Sequence, residues 1–280
     1  MFSFSNRLSI LRRRGLAYPA GFAPGFDPSH VALIGLCRLS AIASGNNFIN
    51  LFSGARGTAG GAATSAGIDG SIGPCVNYPN ANISERTTFV LPAVTDSNFT
   101  LAAIFRLSIT GTFQPIFGTG ASSVWTTLAI RVSGLLSLQN SATQNASSGF
   151  TMSAGVPYFA AASQNGTSAV NFIVVRLDTG QSFTSSVTAG LVSNPATDSQ
   201  AMIGNYANVG TPNSPTSGLV STVAYIAGFL SLPILRIWAA DPWSFWYPSP
   251  QSMDMQQLVG RPAGTPPAPL IASGYAETIW

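Results

Sequence analysis

The stretch Ala169-Val-Asn-Phe-Ile-Val-Val-Arg-Leu-Asp-Thr-Gly-Gln-Ser-Phe-Thr-Ser-Ser-Val187 decides the fold class. Its first nine residues crowd Val, Ile and Phe together, side chains that fit a pleated surface better than a helix. Asp178-Thr179-Gly180 interrupts the run, and Ser182–Val187 resumes it. Two strand-like runs around Asp-Thr-Gly read as a tight hairpin in which Gly180 supplies a positive φ.

The same pattern recurs on both sides. Val31–Ser40 is mostly apolar, and Asn47–Gly54 partly alternates. Further strand signals fall at Thr87–Leu91, Asn98–Ile109, Gln114–Gly118, Trp125–Val132 and Leu135–Gln139. Later ones fall at Pro157–Ser163, Gln200–Ile203 and Leu219–Phe229. Turn residues separate them at roughly ten-residue intervals, the signature of an all-β sandwich or barrel. Residues 54–83 are Gly-rich without periodicity and are expected to form a long surface loop.

One helix is expected. Ser231 can cap it, Pro233 suits its first turn, and Asp241-Pro242 ends it. Either Leu232, Leu235 and Trp238 or Ile234 and Ile237 would face inward. Trp243, Phe245, Trp246 and Tyr247 follow at once. They could stack sugars, seal the base of the sandwich, or fill a subunit contact, and the last two readings are preferred because such rings dominate cores and interfaces. With Trp280 they form a candidate aromatic interface.

The compact region is bracketed by two tails. Residues 1–29 form an arm with Arg7, Arg12, Arg13 and Arg14 and no acid in its first fourteen positions. Tyr18, Phe22 and Phe26 follow among Pro and Gly, as pegs for docking. Residues 30–248 are the β-sandwich, and 249–280 form a Pro-rich tail. Docking of the arm to an acidic protein surface is the preferred reading; a solvated tail and contact with nucleic acid are the alternatives. The rest of the chain carries eight Arg and nine acids, so a nucleic-acid-binding stripe is not expected there.

Composition argues against catalysis. The chain has no Lys, a single His (His30), two Glu and seven Asp. Proton-transfer chemistry needs paired titratable groups. His30 lies beside Asp27-Pro28-Ser29 and fits a turn. Asp69, Glu85, Asp96, Asp178 and Asp198 show no spacing suited to a glycosidase pair. Neither zinc spacing nor a phosphate-binding glycine loop occurs. No catalytic residue and no metal or cofactor site is assigned; calcium at Asp96 or Asp198 with loop carbonyls stays open. Charge is 8% of residues against about 25% in an average soluble protein. So weakly charged a surface suits a subunit bound in an assembly. Cys37 and Cys75 could pair or stay as two buried thiols, with the thiols preferred. No 18-residue apolar run crosses a membrane as a helix.

Five segments carry a family resemblance. They are Pro19–His30, Phe48-Ile-Asn-Leu-Phe-Ser-Gly54, Gly155-Val-Pro-Tyr-Phe-Ala-Ala-Ala162, Asn171–Gly180 and Leu230–Pro248 with its Asp-Pro-Trp ending. Together they resemble the LamG-type, concanavalin A-like jelly roll of tailed phages and prophages. The resemblance implies two stacked antiparallel sheets and an adhesion, assembly or glycan-binding role, in some members around calcium. Glycosidases on that fold carry a Glu-x-Asp-x-Glu strand, which Glu85 lacks. The expectation is a non-enzymatic virion protein, as head decoration, fibre or spike, on the surface of a phage particle. Its arm would anchor on capsid, portal, tail or fibre subunits, as a homo-oligomer for which a trimer is one option. The alternative is a carbohydrate-binding adhesin that recognises a host-surface glycan.

Overall fold

A computed structural model describes residues 33, 36–61, 65–81, 84–91, 97–120, 125–140, 144–166, 168–188, 200–205 and 215–247. The strands are β1 (Cys37–Ser44), β2 (Asn47–Asn50), β3 (Thr58–Gly60), β4 (Ser65–Asp69), β5 (Gly73–Pro79), β6 (Arg86–Val90), β7 (Asn98–Leu107) and β8 (Gln114–Gly120). They continue with β9 (Trp125–Ile130), β10 (Leu135–Asn140), β11 (Gln144–Thr151), β12 (Pro157–Asn165), β13 (Ala169–Arg176), β14 (Ser182–Val187), β15 (Gln200–Ile203) and β16 (Ser217–Ile226). Helix α1 spans Leu232–Ala240.

The strands form two antiparallel sheets. The nine-stranded one runs β14-β13-β12-β7-β16-β1-β2, and β16 also pairs β5, which pairs β4. The seven-stranded one runs β11-β10-β9-β8-β15-β6-β3. Alternate residues of both sheets meet in one core, among them Leu101, Phe105, Phe172 and Tyr225 from one side and Phe117, Leu128, Leu136 and Leu138 from the other. Side chains two apart along a strand share a face, so a single register fixes both layers.

The nine-stranded sheet is buried on its other face as well. Ala161, Ala102 and Ala224 lie side by side across β12, β7 and β16. They belong to a second core with Phe159, Ile173, Trp238, Phe245 and Trp246. Alanines there leave room for large rings from α1 and the segment after it. Trp238 sits 5.1 Å from Phe245, 5.2 Å from Phe159 and 5.4 Å from Trp246 between ring centroids. This double burial explains why the central strands read as apolar runs rather than alternations.

A polar latch leads into the helix. The Leu230 amide donates to Ser163 Oγ at 2.6 Å. Thr100 Oγ1 lies 2.8 Å from Ser163 Oγ and 2.9 Å from the Gly228 carbonyl. Asn171 Nδ2 donates to the Leu230 carbonyl. One hydroxyl proton serves one acceptor at a time. With Ser163 donating to Thr100 and Thr100 to Gly228, every group in the chain of bonds is satisfied.

Several expectations need correction. Residues 54–83 are not one long loop; β3, β4 and β5 lie within them. Their pairing comes from partners distant in sequence, Ser217–Val220 for β5 and Arg86–Thr88 for β3. The strand β11 has no counterpart among the expected strands. The first strand starts at Cys37 rather than Val31, and the last ends at Ile226. Ser231 makes no side-chain cap; Pro233 lies within the first two helical positions and removes one of the amides a cap would serve. Leu235 and Trp238 face inward, while Ile234 and Ile237 are exposed. Gly180 has φ 72° as expected, but the hairpin closes less tightly, with Arg176 donating to the Gln181 carbonyl. Cys37 and Cys75 are free buried thiols. The arm 1–29, His30 and the tail 249–280 lie outside the described residues.

Candidate functional site

Strands β9, β10 and β11 build the site. Leu128, Leu136, Leu138 and Ala146 point into the core. Their neighbours Thr127, Ser137, Gln139, Asn145 and Ser147 therefore lie on the opposite face. Register joins them into two rows, Ala129–Ser137–Ser147 and Thr127–Gln139–Asn145. Every residue in these rows is small, or neutral and polar.

The turn after β9 makes a rim. Arg131 donates its amide to the Leu135 carbonyl, and its own carbonyl accepts the Gly134 amide. Gly134 holds φ 79°, a conformation that favours glycine. Its carbonyl accepts the Met152 amide, so the turn is docked on the end of β11. On the far edge, Ser185 Oγ donates to the Ser148 carbonyl at 2.8 Å, and Phe150 packs on Phe183 at 5.2 Å. These contacts close the two sheets beside β11 and fix its position.

A cavity of about 700 Å³ opens here, lined by Phe113, Arg131, Val132, Ser133, Leu135, Gln139, Asn145 and Ser147. Phe113 also packs against Trp125 and Met202 on this face. The residue after it is tied across the sandwich, with Gln114 Oε1 accepting the Ser217 amide at 2.6 Å. Arg131, Val132 and Ser133 are exposed, so the rim meets solvent. Asn145 Oδ1 and Ser147 Oγ are shielded and have no hydrogen-bond partner among the described residues. Engaging a ligand requires these side chains to turn outward, and that rotation breaks no existing bond at those atoms.

Three of the described carboxylates are engaged elsewhere. Glu85 is buried, and its two oxygens accept the Asn80 and Ala81 amides at 2.9 and 2.8 Å. Asp69 Oδ2 pairs with Arg106 at 2.5 Å, and its Oδ1 accepts the Ser71 and Ile72 amides. Partial burial raises the Asp69 pKa, but the Ser71 hydrogen bonds and the Arg106 charge outweigh it and hold the carboxyl below its ordinary value. Asp178 pairs with Arg176 at 2.8 Å, and that hydrogen bond lowers its pKa too. Among the described residues no three His, Cys, Asp or Glu side chains group as a metal site.

The residues singled out from the sequence fall in other places. Trp243, Phe245, Trp246 and Tyr247 are buried in the layer over the nine-stranded sheet, on the far side of the sandwich from the cavity. Arg7, Arg12, Arg13, Arg14, Tyr18, Phe22, Phe26, Asp96, Asp198 and Trp280 lie outside the described residues. The cavity residues Phe113, Arg131, Gln139, Asn145 and Ser147 are not among those the sequence reading selects. The alternation Leu136-Ser-Leu-Gln139 carries the signal for an outward polar face.

Neither a protein-family model nor a curated protein sequence matches the chain. Solved structures do. Domain 4 of AbnA, a GH43 extracellular arabinanase from Geobacillus stearothermophilus in complex with arabinotriose, aligns with TM-score 0.50 and 17% identity over 72% of this chain and 98% of that one. The binding domain of Paraclostridial Mosquitocidal Protein 1 aligns with TM-score 0.54 and 8% identity over 74% of this chain and 52% of that one. Tailspike protein 2 of Escherichia coli O157:H7 bacteriophage CAB120 aligns with TM-score 0.47 and 17% identity over 65% of this chain, and the match spans 27% of the tailspike. At these identities the likeness concerns the fold, and that fold is a jelly-roll β-sandwich of two antiparallel sheets.

Proposed function

We propose that the chain is a non-enzymatic, LamG-like glycan-binding module of a phage particle, anchored by its N-terminal arm with the jelly roll facing outward. The observation that carries the glycan reading is the cavity on the seven-stranded sheet. A sugar presents hydroxyls that donate and accept, and Asn145 and Ser147 offer unspent groups of both kinds. Phe113 offers an apolar ring for a sugar face. The volume falls in the range of small-molecule sites, roughly 300–1,000 Å³. A jelly roll shared with an arabinanase domain solved with arabinotriose supports the reading at the level of fold. None of the four described carboxylates lines the cavity, which favours binding over hydrolysis. The virion location rests on the phage-type resemblance, the weakly charged compact region and the arginine arm.

The test is a host-surface glycan array with the full chain and with Asn145→Ala/Ser147→Ala. Binding that falls at least about tenfold in the double variant supports the site, since each lost hydrogen bond costs about 0.5–1.5 kcal/mol. An array without a hit, or a double variant that binds unchanged, refutes it. Separately, cryo-electron microscopy of native particles should place the arm against another virion protein. Particles lacking the chain would overturn the virion reading.

A further inference from the structure

We propose that this cavity takes a carboxylated sugar and that Arg131 reads the carboxylate. The inference rests on the glycan reading of the same cavity and adds the ligand's charge. Charge is segregated in the fold. The described strands of the seven-stranded sheet and the β9–β10 turn carry two charged side chains, Arg86 and Arg131, and no acid. Arg86 shares the outward face, because Thr87 and Phe89 alternate with it toward the core side. Asp69 and Asp178 belong to the nine-stranded sheet and its loops, and Asp241 follows α1. Glu85, next to Arg86, has both oxygens committed to backbone amides.

Arg131 is built to meet an anion. Its backbone is fixed at both ends of the turn, so the side chain starts from a defined place. Among the described residues no acid forms an ion pair with its guanidinium. A guanidinium presents parallel N–H donors that match the two oxygens of a carboxylate. Asn145 and Ser147 line the same cavity and are suited to the hydroxyls of the ring that bears it. A neutral sugar would use that pair and leave the arginine to water.

The experiment is calorimetric titration of the full chain with an oligogalacturonate and a sialylated trisaccharide, each beside its carboxyl-reduced counterpart. At least one acidic probe should bind about 10–100-fold tighter than its reduced form, the range for one charge-assisted hydrogen-bonded pair. Arg131→Gln should erase that difference by weakening the acidic probe at least about tenfold more than its reduced form. Arg131→Lys, which keeps the charge but not the fork, should restore only part of it. The Arg131 side chain is exposed and ion-paired to none of the described acids, so urea midpoints should match the wild type. Equal binding of acidic and reduced probes, unchanged in Arg131→Gln, overturns the carboxylate inference and leaves the glycan reading standing. Absence of binding to every probe overturns the carboxylate inference, while the glycan array decides the glycan reading.

Discussion

Ser163→Ala should destabilise the fold far more than a loss of one oxygen suggests. Ser163 Oγ accepts the Leu230 amide at 2.6 Å and lies 2.8 Å from Thr100 Oγ1. Leu230 is buried, so its amide has no water to turn to. A stranded buried donor costs about 1–3 kcal/mol, and the lost hydroxyl–hydroxyl bond adds about 1 kcal/mol. The sum is about 2–4 kcal/mol, or roughly 5–15 °C in Tm for a chain of this size. Ser40→Ala is the internal control. Ser40 lies on the same outer face, opposite Ala224, and its Oγ is buried without a partner among the described residues. Removing a hydroxyl that already lacks a bond should change stability by less than about 0.5 kcal/mol, or raise it. Urea unfolding followed by tryptophan fluorescence measures both. Thr100→Val combined with Ser163→Ala should cost less than the two separately, by at least about 0.5 kcal/mol, because the residues share one chain of bonds. Equal losses for Ser163→Ala and Ser40→Ala, or strict additivity with Thr100→Val, would refute the latch.

Three other outcomes follow from the same packing. Trp238→Ala empties the centre of the aromatic layer and should cost about 3–5 kcal/mol, read from urea midpoints with a loss of near-ultraviolet dichroism. Burial raises the pKa of both Cys37 and Cys75, so neither thiol should react with a thiol reagent at about pH 8 until denaturant is added; fast labelling of either one in the folded protein would contradict its place in the second core. Asp69 has a folded pKa below its unfolded value, so its contribution is full above about pH 4 and fades as pH falls through the folded pKa. Asp69→Asn should therefore lower stability at about pH 7 and converge with the wild type near pH 2–3, whereas a pH-independent gap would contradict the ion-paired role.

How legible the fold is depends on what each strand buries. Strands β7, β12, β13 and β16 carry continuous apolar residues because the nine-stranded sheet is covered on both faces, and sequence reading finds them readily. The sequence leaves two choices for the inward stripe of α1, and the alanine floor under Trp238 selects the one with Leu235. Strand β3 (Thr-Ala-Gly) and the start of β4 (Ser-Ala-Gly, before Ile68 and Asp69) are small residues at sheet edges, where partners rather than propensity decide the conformation. Strand β11 reads as turn-forming sequence for the same reason, yet it supplies Asn145 and Ser147. The site exists only in the register that sets Ser147 opposite Ser137 and Asn145 opposite Gln139. No spacing along the chain encodes that juxtaposition. The aromatic quartet after α1, one reading of which is a sugar platform, is instead interior packing.

The proposed binding face is the seven-stranded sheet and not the aromatic layer. The most direct measurement is a two-dimensional NMR titration of isotope-labelled full-length protein with the tightest glycan from a host-surface array. Saturable shifts should be confined to amides near Phe113, 131–139 and 145–147 and be abolished by Asn145→Ala/Ser147→Ala. Shifts centred on 238–247, or no shift with any glycan, would move the binding site off this sheet.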